Sequence, residues 1–440
     1  MTRGLPTIFT TRAGRDLGEK IVWELSDILH TRAHAIVDKV PSTMREEEQK
    51  RIQAIREYNR YLFGDKWGRF HLRHASVKNF SDGEIHFTLP DYVLGQERGT
   101  IQVVKGVAQT GKKVIKNTVR QQDVYLVDAP LQPKEPVEDI LARLPQRVPR
   151  KRVENLLRHE RSLKDVHHNI FETLLIAYTL GRWAERVTLV SPYHLYARQD
   201  HARTREEVTA KLLAKMFEAA RVSHGIYMDL HSDQIPAFYE HRPENLRASA
   251  RLEEVIVEEM GMTDDNRDDY VVVTPDAGGT ARARHYSKRL DAGIGIGDKR
   301  RGYDEDNYVE TVEIIGDVNK KKVLVIDDMI DTAGTIVKTV EAALRQGAKE
   351  VWVACTHAVF SGPAVGRLDE LYRDGKLKKV IVTDSITRGA EFAREHEWYL
   401  EAQTTNLLAR TVYTLNAGHS VSDVYEGSGE LDIVRFDKAA

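Results

Sequence analysis

From Val187 onward, short apolar runs alternate with amphipathic stretches. RVTLVSPY, GIYMDLH, YVVVTPD, KKVLVIDD, KEVWVACTH and KKVIVTDS each read as a β-prone run that ends in polar residues. Helix-forming segments such as TIVKTVEAALRQGAKE follow, with Gly347 placed to end that helix. This alternation predicts βα units around mostly parallel sheets, an α/β fold. Ligands in such folds bind beyond the carboxyl ends of the strands, where these runs become polar. A faint internal echo points the same way: VTLVSPYHLYARQD resembles VVVTPDAGGTARAR, and MDLHSD and VIDDMID follow them in turn. Two related α/β domains in tandem would account for it.

The first half is less regular. Residues 33–67 read as a charged helical stretch, and residues 131–164 as a proline-rich basic arm. Around residues 96–122 lies GVAQTGKK, which nearly spells a Walker A loop. It lacks the closing Ser or Thr, and the β-prone KVIKNTV follows where a helix should begin, so a β-hairpin tip is predicted there. HLRH and VHH have no spacing partner for a zinc site.

Composition narrows the function. The 440 residues are 41% hydrophobic, enough for two or three cores. Against 65 basic residues stand 67 acidic ones, a net charge of −2, so no bulk attraction to nucleic acid or to a membrane surface is expected. A single cysteine, Cys355, excludes an internal disulfide and multi-cysteine metal sites and fits a reducing cytoplasm. No segment has the apolar length of a signal core or a membrane span.

The stretch VLVIDDMIDTAGTI, Val323 to Ile336, carries the chemistry. An ordinary βα turn accounts for Asp, Thr and Gly as caps and bends. It does not account for Asp327, Asp328 and Asp331 crowded at one strand end, where like charges repel. A ribosyl phosphate does. Amides and hydroxyls of Thr332, Ala333, Gly334 and Thr335 at a helix N-terminus suit a phosphate, and the carboxylates of Asp327 and Asp328 accept hydrogen bonds from a ribose diol.

This stretch resembles the phosphoribosyl pyrophosphate (PRPP) signature shared by phosphoribosyltransferases and PRPP synthetases. NFSDGEI, YARQD, DLHSDQIPAFY, TPDAGGTARA, DKRR and THAVFSG, in that order, are similar to motifs of the ribose-phosphate pyrophosphokinase (PRPP synthetase) family, and LLARTVYTLNAGHSVSDVYE is similar to its closing segment. The resemblance implies two phosphoribosyltransferase-like domains, residues 1–245 and 246–440, the first carrying the three insertions and the second the PRPP loop. It also implies MgATP and ribose 5-phosphate as substrates and PRPP and AMP as products. By the same resemblance Lys299, Arg301 and His231 are catalytic, and His231 and Asp276 hold Mg²⁺. Phe80, Asp82, Glu84, Arg198 and Gln199 serve ATP, and Asp327, Asp328, Asp331, Thr332, Ala333, Gly334 and Thr335 serve ribose 5-phosphate. A homo-oligomer, commonly a hexamer, is implied as well, with the adenine contacts often given by a neighbouring subunit.

On the residues alone, His231 could equally be a core histidine, DKRR a solvated mobile loop and Asp276 a turn residue. With Asp229 taken to share a strand face with His231, a metal-phosphate site becomes reasonable. The chain departs from the family at Val93-Leu94-Gly95, at the short HARTREEV and at Gly302. The rival readings are a non-catalytic PRPP-synthetase-associated regulator, which would lose the KRR that is intact here, and a phosphoribosyltransferase.

Overall fold

The computed structural model describes residues 7–11, 13–14, 16–25, 28, 123–129, 131 and 166–425, apart from 203, 305 and 306. It also gives the backbone of short strands between 72 and 117, while the side chains of 299–311 fall outside the description.

Two sheets organise the chain. The first contains β1 (Thr7–Thr10), β2 (Leu72–His74), β9 (Asp123–Val127), β10 (Arg186–Val190), β11 (His224–Met228) and β12 (Glu244–Leu246), all parallel. The second contains β13 (Tyr270–Thr274), β14 (Gly293–Asp304), β15 (Asn307–Ile315), β16 (Lys322–Met329), β17 (Glu350–His357), β18 (Val380–Thr383) and β19 (Tyr399–Ala402), parallel except for β15. The central strands β9, β10, β13, β16, β17 and β18 are apolar and buried over most of their length, as strands covered on two faces require.

The two sheets repeat one topology. From one edge the first reads β2-β1-β9-β10-β11-β12, and the second reads β14-β13-β16-β17-β18-β19 with β15 added outside β14. Each sheet, with its own strands ranked in chain order, therefore follows 2-1-3-4-5-6. The duplication is real, but the sequence echo pairs the wrong strands. It equates β10 with β13 and β11 with β16, whereas position in the sheet equates β9 with β16 and β10 with β17. Polar residues at the ends of unrelated strands produced the echo.

Three antiparallel pairs lie between β2 and β9: β3 (Ser76–Asn79) with β4 (Ile85–Thr88), β5 (Tyr92–Val93) with β8 (Lys116–Asn117), and β6 (Ile101–Val104) with β7 (Val107–Thr110). The Walker-like stretch belongs to a hairpin, but Val107–Thr110 form its second strand where a hairpin tip was expected. Phe80, Asp82 and Glu84, between β3 and β4, lie outside the described residues, as do residues 33–67 and 132–164.

DKRR differs from expectation. Lys299 and Arg301 sit on β14, with Lys299 opposite Val312 and Arg301 opposite Glu310 on β15. The segment is the outer part of a β-ribbon whose first residues, Gly293 to Ile296, also pair with β13. Backbone pairing overrides the polar character that suggested a loop.

Candidate active site

The order in which the chain lays down strands reverses between the parallel β13 and β16, and that crevice holds the acids. β16 is central and buried from Val323 to Ile326, and Asp328 is buried again beyond the half-buried Asp327. The chain then turns through Asp331, Thr332 and Ala333 into the helix Gly334–Arg345, with Ala333 in the left-handed region (φ 61°). Arg367 Nη1 donates to the Thr332 carbonyl at 2.8 Å and would lie 3.3 Å from a Cβ at Gly334, so the loop is braced by a cation.

Asp327 and Asp328 are unlike. Asp327 Oδ1 accepts the Asp328 amide at 2.9 Å and Arg282 Nη1 at 3.3 Å. Burial, then the charge of Asp328, push its carboxyl up. Asp328 is held below the usual carboxylate range: burial opposes this, but the hydrogen bond from His231 and the charges of Arg282 and His231 outweigh it. His231 Nδ1 donates to Asp328 Oδ2 at 2.5 Å, and chiefly for that reason the imidazole holds its proton more tightly than usual. His231 comes from the first sheet, three residues past β11, so the site is built across the two units.

Arg198, in the loop after β10, also crosses. Its Nη1 donates to Asp331 Oδ2 at 2.6 Å, and Asp331 takes Ser361 Oγ on its other oxygen. One residue expected on the ATP side and one expected on the ribose side thus meet directly. Gln199 accepts Thr209 Oγ1 at 2.5 Å beside the helix Thr209–Ala219. Asp276 follows β13 and accepts the Gly278 amide at 3.1 Å. Gly279 beneath it is obligatory, since a Cβ there would lie 2.0 Å from Thr274 Oγ1.

Two expectations change. β11 ends at Met228 and Asp229 has φ 39°, so Asp229 and His231 do not share a strand face. Asp229 Oδ2 instead accepts Thr356 Oγ1 at 2.7 Å and the Ala248 amide at 3.1 Å. Arg282, on the helix Thr280–Leu290, was missed. Its signal was a cation in a first helical turn, where the helix dipole disfavours positive charge unless an anion lies opposite. In the first sheet the corner equivalent to Asp327 and Asp328 holds Asp128, buried against Thr11 and Thr173 hydroxyls at 2.7 and 3.0 Å. That corner is filled by its own side chains.

Among the described residues no three His, Cys, Asp or Glu side chains are grouped to cage a metal, and no helix is long and apolar enough to cross a membrane.

Residues 94–220 match the model of the N-terminal domain of ribose phosphate pyrophosphokinase, and residues 238–393 match the phosphoribosyl transferase domain. The ribose-phosphate pyrophosphokinase of Bacillus subtilis is 38% identical over 262 residues, 59% of this chain and 78% of that protein. That of Oceanobacillus iheyensis is 42% identical over 223 residues, 50% of this chain and 67% of that protein. The phosphoribosylpyrophosphate synthetase of Mycobacterium smegmatis shares the fold, with a TM-score of 0.61, 22% identity and coverage of 93% of this chain and 98% of that one. The chain belongs to the ribose-phosphate pyrophosphokinase family.

Proposed function

We propose that this chain transfers the diphosphoryl group of MgATP to the anomeric hydroxyl of ribose 5-phosphate, giving PRPP and AMP. The observation that carries this reading is the two-sided corner, where His231 and Arg198 of the first unit reach the acids Asp328 and Asp331 that follow β16. A protein that only bound PRPP would need the loop after β16 and not a second unit meeting it.

Asp327 and Asp328 accept the ribose hydroxyls, and the amides of Thr332 to Thr335 at the start of their helix receive the 5-phosphate. Arg198 and Gln199 serve ATP, with Phe80, Asp82 and Glu84 contributed between subunits of a homo-oligomer, which we take as a hexamer. Lys299 and Arg301, on the β14–β15 ribbon, meet charge developing on the transferring group. Arg282 keeps the two acids together before the ribose arrives.

His231 and Asp276 would hold Mg²⁺. The donor set fits: with Nδ1 committed to Asp328, the His231 ring is oriented by a carboxylate as metal-binding imidazoles are. Mg²⁺ that keeps waters and substrate phosphates needs only one or two protein ligands. When bound it offsets phosphate charge.

We read the two units as residues 1–245 and 246–440. In support, the helix Ser249–Met260 packs on β18 and β19 of the second sheet, while the first sheet's last strand, β12, runs one residue past the boundary to Leu246. We place the protein in the cytoplasm, with no nucleic-acid or membrane partner. The test is AMP release from ATP, expected only with both ribose 5-phosphate and Mg²⁺ present. Release without ribose 5-phosphate, or none with it, overturns the reading.

A further inference from the structure

Between the two sheets lies a buried polar joint that touches none of the reacting groups. At the end of β17, Thr356 and His357 are both buried, as are Thr383, the last residue of β18, and Ser385 just beyond it. Burial holds His357 neutral, so one ring nitrogen donates and the other accepts. Its Nε2 donates to the carbonyl of Met228, the last residue of β11, at 3.0 Å, and its Nδ1 accepts Ser385 Oγ at 2.9 Å. Thr356 Oγ1 donates to Asp229 Oδ2 at 2.7 Å, while Thr383 Oγ1 holds the Thr356 carbonyl at 2.7 Å. The second sheet therefore grips two consecutive residues, Met228 and Asp229, of the first.

From this grip the chain runs directly on to His231. Asp229 adopts φ 39°, a conformation uncommon for non-glycine residues though more accessible to aspartate than to most. Here Thr356 and the Ala248 amide fix its carboxylate. That turn carries the chain away from the β11 axis and brings His231 to 2.5 Å from Asp328. The joint and the His231–Asp328 contact thus bridge the same two units at the two ends of a four-residue arc.

We propose that Thr356 and His357 are positioning residues, which set the place of His231 at the reaction centre by fixing the arc from Met228 to His231 against the second sheet. This rests on the reading of His231 as an active-site residue. Replacing Thr356 by valine keeps the shape and removes only the donor.

The test is a double-mutant cycle on Thr356→Val and His231→Ala, with kcat and KM for ATP and ribose 5-phosphate measured alongside thermal melting. Thr356→Val is expected to lower kcat on the order of 10- to 100-fold, the cost of a misplaced group, with both KM values within about threefold of the original. Thr356→Ser, which restores the donor, is expected to recover most of the loss. In the His231→Ala background Thr356→Val is expected to have no further effect, because it acts through the side chain already removed. Multiplicative effects, or no rescue by serine, overturn the joint while leaving the reading of the site intact. His231→Ala at the wild-type rate overturns both. If Thr356→Val does not fold, Ser385→Ala, which loosens His357 from its other side, is carried through the same cycle with the same expectations.

Discussion

Replacing Asp327 by asparagine should make the protein more stable and less able to bind its sugar. Burial, then the charge of Asp328, move the Asp327 carboxyl from an ordinary 3.8 to about 7, against the pull of Arg282. At about 1.4 kcal/mol per unit this shift is worth roughly 4 kcal/mol. The carboxylate is 27% exposed, so solvent screens part of it, and about 2 kcal/mol is the working figure. The sign follows from proton binding. A raised carboxyl binds its proton more tightly in the folded state than in the unfolded chain, so stability falls as pH climbs from the carboxylate range to about 7 and is flat above. Asparagine carries no such charge. The variant should gain about 2 kcal/mol at pH 8, roughly 4–8 °C in melting temperature for a cooperative unit of 150–250 residues, and nothing at pH 4. Calorimetry at neutral pH should show ribose 5-phosphate affinity reduced and ATP affinity kept. The measurement is thermal melting of both proteins from pH 4 to pH 9 without substrates. A variant with the wild-type pH slope, or one destabilised at pH 8, would refute the claim that the acid is held against its electrostatic preference for the sake of the sugar.

Lys299→Ala and Arg301→Ala should each cost about 3 kcal/mol in turnover with little change in KM, as cations acting in the transition state do; steady-state kinetics within a few-fold of wild type would remove them from the chemistry. Gly279→Ala should cost about 1–3 kcal/mol in denaturant melts because its Cβ meets Thr274 Oγ1, and Gly278→Ala, whose Cβ would lie 3.2 Å from Asp276 Oδ1, should cost less. The His231–Asp328 contact raises the histidine's proton affinity, so its stabilisation is full below the ordinary imidazole value and is lost as pH rises through the raised one. His231→Gln should abolish that loss, and melting curves at pH 5 and pH 9 compare the two.

How far the site was legible depended on where its signal lay. Asp327, Asp328 and Asp331 stood out because three acids at one strand end need a reason, and the structure gathers His231, Arg198 and Arg282 around them. Arg282 was in plain view within TPDAGGTARA, but a cation shortly past a glycine turn carries no label until the helix places it beneath β16. Asp229 misled because alternation along a strand was extended past the point where β11 ends. The β14–β15 ribbon was also readable: in TVEII, Val312 and Ile314 are buried and Glu313 is exposed, an alternation masked by the polar residues of DKRR. The duplication was sensed through the wrong strands because long insertions separate β1, β2 and β9, so the first half of the repeat is scattered over more than a hundred residues. By position in the sheets, β1, which ends at Thr10, corresponds to β13, which ends at Thr274.

The central claim is that two phosphoryl groups move together, and isotope placement tests it most directly. With ATP labelled in its γ-phosphate, ribose 5-phosphate and Mg²⁺, the account predicts that the label appears in PRPP, while an α-phosphate label remains in AMP. Transfer of the γ-phosphoryl group alone, seen as ADP with a singly phosphorylated C1 product, would contradict it.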